Sequence, residues 1–190
     1  VNMTFQPKGI IPAMVTPVTR DGKINVEALR KLTNYLIEGG VHGLFPVGSQ
    51  GEFYALTFEE KKRVIEVVVE EARERVPVYA GTGAITTREA IALAKMAEAA
   101  GVSAVSVLTP FFIHPNESEL FEFYSAIAHA TRLPVLLYNN PGRTGVSISA
   151  NFVVRASKIE NIIGIKDSSG DLTLTAEYIR RTDEIGRAHL

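Results

Sequence analysis

Short apolar runs rich in β-branched residues alternate along the chain with longer stretches whose apolar positions recur at helical spacing. The pair repeats about every 30 residues, the length of a βαβ unit. Strands are predicted at Ile10 to Val15, Gly43 to Val47, Val78 to Gly81, Ala104 to Leu108, Val135 to Tyr138 and Ile162 to Lys166. Most of these runs are continuously apolar, as parallel strands covered on both faces must be. Helices fill the gaps, and their starts carry capping residues: Asn25, Thr57 with Glu60, Thr86 with Glu89, and Asn116 with Glu119. Gly39-Gly40, Val76-Pro77, Ala100-Gly101 and Leu133-Pro134 stop the helices ahead of the next strands. Between Arg88 and Ala100, the residues Ile91, Leu93, Ala94, Ala97 and Ala99 form a small-residue face suited to lying close on a sheet.

Six strand-plus-helix units in regular alternation, without a dinucleotide fingerprint, favour a (β/α) barrel over a doubly wound sheet. Gly81-Thr82-Gly83-Ala84-Ile85-Thr86 begins like such a fingerprint, but Thr86 occupies the third glycine position and no ribose-binding acid follows. A full eight-stranded barrel takes about 250 residues. The expectation is therefore a single barrel domain over residues 1–190, incomplete at its C-terminal side after the sixth unit. The stretch Glu184 to Leu190 offers neither a capping device nor a strand of its own.

The chain has 190 residues, 46% hydrophobic, with 20 basic against 21 acidic side chains and a net charge of -1. That balance gives no electrostatic footprint for nucleic acid or an anionic membrane. No apolar run approaches the ~18 residues of a membrane helix. Zero cysteines exclude disulfides, thiolate metal sites and cysteine nucleophiles. Met3 reads as a natural start behind Val1 and Asn2, no secretory leader is evident, and a cytoplasmic protein is expected. His42, His114, His129 and His189 share no ligand spacing, so no metal is expected.

Candidate chemistry gathers at predicted strand ends. Lys166 interrupts the apolar run Asn161 to Ile165 and precedes the loop Asp167-Ser168-Ser169-Gly170-Asp171. At the mouth of a buried strand its amine would be partly desolvated, which favours the neutral, nucleophilic form. A lysine there also commonly reaches over the rim into water. Pro46-Val47-Gly48-Ser49-Gln50-Gly51-Glu52 turns tightly after the second strand, exposing N–H groups that suit a carboxylate; alternatively Ser49 caps a helical turn onto Glu52. Tyr138-Asn139-Asn140-Pro141-Gly142-Arg143-Thr144-Gly145 sets a phenol at a strand end and a guanidinium in the adjoining loop. Asp167 and Asp171 read as a carboxylate pair or, more simply, as helix caps. In a parallel barrel all strand C-termini open on one face, so Ser49, Tyr138, Arg143 and Lys166 can converge.

Three motifs in order, Gly48-Ser49-Gln50-Gly51-Glu52, Tyr138 to Gly145, and Gly164-Ile165-Lys166-Asp167, resemble those of the dihydrodipicolinate synthase and N-acetylneuraminate lyase family of Schiff-base aldolases. The resemblance runs from about Gly9 to Thr182. It implies a TIM (β/α)8 barrel of which about six units are present, with Lys166 condensing with pyruvate or another 2-oxo acid. It also implies Tyr138 as proton relay, Ser49 and Gln50 as carboxylate holders, and Arg143 as the group that binds the carboxylate of an aldehyde partner. Neither a metal nor an organic cofactor is implied, and the assembly is expected to be a homodimer or homotetramer. Two departures leave the branch open. Ser49-Gln50 stands where the synthases usually carry Thr-Thr, and Phe112 stands where they carry a tyrosine, whose proton a phenylalanine cannot relay. The expected activity is a pyruvate-dependent carbon-carbon or carbon-oxygen lyase of the synthase type, or a related N-acetylneuraminate or 2-keto-3-deoxy-sugar-acid aldolase. An inactive barrel fragment or a non-catalytic 2-oxo-acid-binding protein is the alternative.

Overall fold

In the computed structural model, which describes residues 5–182 and the backbone of Gly186–Arg187, five parallel strands lie side by side in chain order. They are β1 (Tyr79–Gly81), β2 (Ala104–Leu108), β3 (Val135–Asn139), β4 (Ile162–Asp167) and β5 (Gly186–Arg187). Two earlier segments continue the same ladder through single parallel bridges, Leu44 with Val78 and Ala13 with Phe45. The first predicted strand thus shrinks to one bridge. Ile10 and Val15 at its ends are exposed, so they lack the two-sided cover that the apolar run suggested. At the other end, Gly186–Arg187 adds a strand beyond the sixth unit, paired with Gly164 and Ile165, where no strand was expected. The rest of the terminal stretch, like Met3, lies outside the described residues.

Helices cross between successive strands: α1 (Val26–Glu38), α2 (Phe58–Ala72), α3 (Thr87–Ala99), α4 (Glu117–Ala130), α5 (Pro141–Thr144), α6 (Ala150–Ala156) and α7 (Leu172–Arg181). Four begin at the expected caps. Asn25 accepts from Ala28 N–H, Thr86 from Glu89 N–H, and both Thr57/Glu60 and Asn116/Glu119 form reciprocal capping boxes. Each such cap is worth about 1 kcal/mol. The end of α2 departs from expectation: the helix stops at Ala72, well before Val76-Pro77, because Arg73 and Glu74 take left-handed conformations with φ of 49° and 60°. On α3 the buried face is Ala90, Leu93, Ala94 and Ala97, while Ala99 points to solvent and Ile91 is half-buried.

Every residue of β2 and β3 is buried, as strands clothed on both faces require. One face packs against the helices in a large apolar layer. The other encloses a smaller cluster of Ile11, Phe45, Tyr79, Ala104 and Leu136. Gly81 and Gly83 are there for close packing: a Cβ on Gly81 would fall 2.1 Å from the carbonyl oxygen of Val47, and one on Gly83 would fall 2.6 Å from Leu108 Cβ. The fingerprint-like segment is thus a place where neighbouring backbones approach closely.

Candidate active site

The strand register decides which side chains meet. Tyr138 on β3 pairs with Lys166 on β4, Asn139 with Asp167, and Leu108 on β2 with Tyr138. Neighbouring parallel strands therefore put the phenol and the amine side by side at the same level of the sheet. The Lys166 ammonium position lies 4.0 Å from the centre of the Tyr138 ring and 4.4 Å from that of Phe45. Lys166 is 5% exposed and, among the described residues, no carboxylate pairs with it. It does not reach over the rim into water.

Ser49 arrives from a short 3-10 turn, Ser49–Gly51, whose N-cap is Gly48. Its hydroxyl makes no helix cap. Instead Ser49 Oγ lies 3.4 Å from Tyr138 Oη, so the cap that the Ser-x-x-Glu spacing allowed does not form. Arg143 sits on the four-residue helix α5 rather than in a loop, and α5 is pinned by Thr144, whose Oγ1 accepts from Thr109 Oγ1 at 3.0 Å and donates to the Asn140 carbonyl at 3.1 Å. Asp171 caps α7 by accepting from Leu174 N–H, as the simpler reading of that carboxylate has it. Asp167 accepts from Asn139 Nδ2 at 2.9 Å, from Ser169 Oγ at 2.9 Å and from Thr175 Oγ1 at 2.5 Å, which anchors the β4 terminus beside Lys166.

These groups open onto a cavity of about 640 Å³. Ser49, Gln50, Tyr138, Arg143 and Lys166 all line it, together with Asn140, Ser168, Glu52, Thr144 and an aromatic rim of Phe53, Tyr54 and Phe111. Asn139, Asn140 and Ser168 stand in or beside the motifs without a site role of their own, because short polar residues after a strand read first as turn and cap chemistry. The rim aromatics, with Phe53 packed edge-on to Tyr54 and Phe111, carried no motif at all. Phe112, by contrast, is 90% exposed with φ of 71° and is absent from the cavity wall.

Two ionisable groups are displaced from their ordinary values. Burial holds the Lys166 amine below the usual lysine value, and the neighbouring Tyr138 phenol only partly offsets it. For Tyr138, burial alone would push the phenol up. Its hydrogen bond with Ser49, the Lys166 charge, Ser168 and Asn140 together outweigh burial and hold it below the usual tyrosine value. A desolvated amine against a phenol of lowered pKa, beside hydroxyl and amide donors, is equipped for attack on a carbonyl with local proton transfer. Among the described residues no group of acidic, histidine or cysteine side chains is arranged to hold a metal ion.

Residues 6–186 match the model of the dihydrodipicolinate synthetase family. The chain belongs to that family. It is 47% identical over 165 residues to 4-hydroxy-tetrahydrodipicolinate synthase from Phenylobacterium zucineum, a match covering 87% of this chain and 56% of the relative. It superposes on dihydrodipicolinate synthase DapA-2 from Bacillus anthracis with a TM-score of 0.93 at 41% identity, covering 97% of this chain and 64% of that one. It superposes likewise on the chloride-inhibited dihydrodipicolinate synthase from Acinetobacter baumannii complexed with pyruvate (TM-score 0.92, 41% identity, 98% and 63% covered). The fold is accordingly that of the family's TIM barrel, and the chain spans less than two thirds of the length of these relatives. Within the described residues, no helix is long and apolar enough to cross a membrane.

Proposed function

We propose that the protein is a class I pyruvate-dependent aldolase or lyase of the dihydrodipicolinate synthetase family, with Lys166 as the imine-forming nucleophile. The observation that carries this reading is the buried, unpaired Lys166 amine lying against Tyr138 on the wall of a cavity. The neutral amine adds to the keto carbon of pyruvate, and the carbinolamine loses water to give an iminium. Loss of a proton from the adjacent carbon then yields an enamine, which attacks the carbonyl of an aldehyde; the reverse sequence cleaves the same bond. Tyr138 carries protons to and from the oxygens that leave or form. Ser49 and Gln50 hold the pyruvyl carboxylate. The scheme calls for no cofactor, because the iminium nitrogen is itself the electron sink.

Arg143 supports an aldehyde that bears a carboxylate: it is exposed at the cavity and, among the described residues, makes no ion pair. The names of the relatives point the same way, so aspartate semialdehyde is the first aldehyde to test, with N-acetylneuraminate and 2-keto-3-deoxygluconate as alternatives. A cytoplasmic setting is part of the proposal. So is a homodimer or homotetramer, supported by the adjacent protruding side chains of Phe112 and Ile113, an apolar pair that a second copy would cover.

Incubation with pyruvate and borohydride tests the chemistry. Mass spectrometry is expected to find a reduced pyruvyl adduct on the Lys166 peptide, and an unmodified Lys166 in folded protein ends the proposal. Saturable pyruvate binding without an adduct would select the non-catalytic 2-oxo-acid-binding alternative.

A further inference from the structure

Asn140 is the N-cap residue of α5, with Pro141 in the first helical position. Asparagine at that position ordinarily turns its side chain onto the N–H groups of the first turn. Here it makes no such bond, and the opening of α5 is closed by the Asn140 carbonyl, which accepts from the N–H groups of Arg143 and Thr144. The side chain reaches instead into the cavity, where Asn140 Nδ2 donates to Tyr138 Oη at 3.1 Å.

We propose that Asn140 is a positioning residue for proton transfer: its amide occupies a lone pair of the Tyr138 oxygen and leaves the single phenol hydrogen to Ser49 or the substrate. A phenol oxygen has one hydrogen and two lone pairs, and an amide NH2 can only donate, so this contact has a fixed polarity. It also has a fixed preference between states. When Tyr138 releases its proton, the bond becomes charge-assisted and roughly twice as strong, so Asn140 stabilises the transfer more than the resting site. The inference rests on the proposed role of Tyr138 in aldolase chemistry; Asn140 lies inside the Tyr138 to Gly145 motif, but the family resemblance gave it no role.

The other ionisable side chains on the cavity wall are Lys166 from β4, Arg143 from α5, and Glu52 and Tyr54 from the turns after the second strand segment. Lys166 and Arg143 favour a phenolate, Glu52 opposes one, and all remain in an Asn140 variant. A change in Tyr138 titration on substituting Asn140 therefore reports on the amide.

The experiment is an ultraviolet titration of phenolate formation in the full chain, with Tyr138→Phe as the blank that isolates Tyr138 from the other tyrosines. Asn140→Val is expected to raise the Tyr138 midpoint by about one pH unit. Asn140→Asp, the same size but an acceptor when ionised, should raise it at least as far. Asn140→Gln, which keeps an amide donor, should recover part of the difference. The alkaline limb of the rate of pyruvate adduct formation should move up in step with the midpoint, and the rate should fall roughly tenfold in Asn140→Val. Unchanged Tyr138 midpoints in folded Asn140→Val and Asn140→Asp overturn the proposal. Should Asn140→Val fail to fold, Asn140→Asp alone carries the test. Failure of the wild type to form any adduct would sink the aldolase reading, while the titration still decides the role of Asn140.

Discussion

Lys166 shows how much a single residue can cost the structure that holds it. Its pKa is lowered, so the unfolded chain binds this proton more readily than the folded one does. The resulting penalty is fully present below the folded-state value and fades as pH rises from there towards the ordinary lysine value. Lys166→Met should therefore abolish adduct formation yet stabilise the fold by about 0.5 to 2 kcal/mol near neutral pH, the usual gain from a stabilising substitution, with the gain shrinking in alkaline buffer. Urea denaturation at both pH values checks this; a gain that grows with pH contradicts it. Tyr138→Phe keeps the ring beside Lys166 and removes the oxygen shared by Ser49 and Asn140. Adduct formation should slow by roughly 10² to 10⁴ with little change in stability, as measured in single-turnover trapping. Lys166 and Tyr138 stand out in the sequence because an amine or a phenol ending an apolar run violates the local pattern. Asn140 violates nothing at that level, and its role depends on a side-chain direction that only the folded chain supplies.

At the scale of elements, capping residues were the most legible feature, because one side chain and one backbone N–H settle each helix start within a single turn. Helix ends and edge segments were less so. Val76-Pro77 looks like the stop of α2, but the chain leaves the helix at Arg73 and Glu74 by adopting φ values that side-chain-bearing residues rarely take. Glu74→Gly should relieve that strain and raise stability by about 0.5 to 1 kcal/mol, seen as a higher denaturation midpoint. An unchanged or lower midpoint would mean that the strain at Glu74 is negligible. Asn-Pro-Gly between β3 and Arg143 carries turn chemistry in sequence, yet the Thr109–Thr144 contact and the Asn140 carbonyl wind it into α5. The first strand failed for a different reason. Apolar residues from Ile10 to Val15 satisfy the pattern, but cover on both faces depends on neighbours that periodicity does not reveal.

For the whole molecule, the parallel ladder running in chain order is what lets residues as distant as Ser49 and Lys166 line one cavity. A ligand that joins them should stabilise the entire fold. Pyruvate at a hundredfold excess over its dissociation constant is expected to add about 2.7 kcal/mol to the wild type and nothing comparable to Lys166→Met, measurable as a difference in thermal midpoint. Equal shifts in the two proteins would show that the amine is not what pyruvate engages. The same ladder separates two duties. Tyr79, Ala104 and Leu136 form an apolar floor towards the N-terminal ends of β1, β2 and β3, while Tyr138 and Lys166 stand near the C-terminal ends of β3 and β4. The rim side chains Tyr54, Phe111 and Arg143 come from the turns and the short helix that follow the strands, outside that floor cluster. Under the proposed aldolase chemistry, exchanging side chains at Tyr54, Phe111 or Arg143 is expected to retune which aldehyde is accepted while the foundation is left alone, which makes this architecture a ready starting point for laboratory evolution.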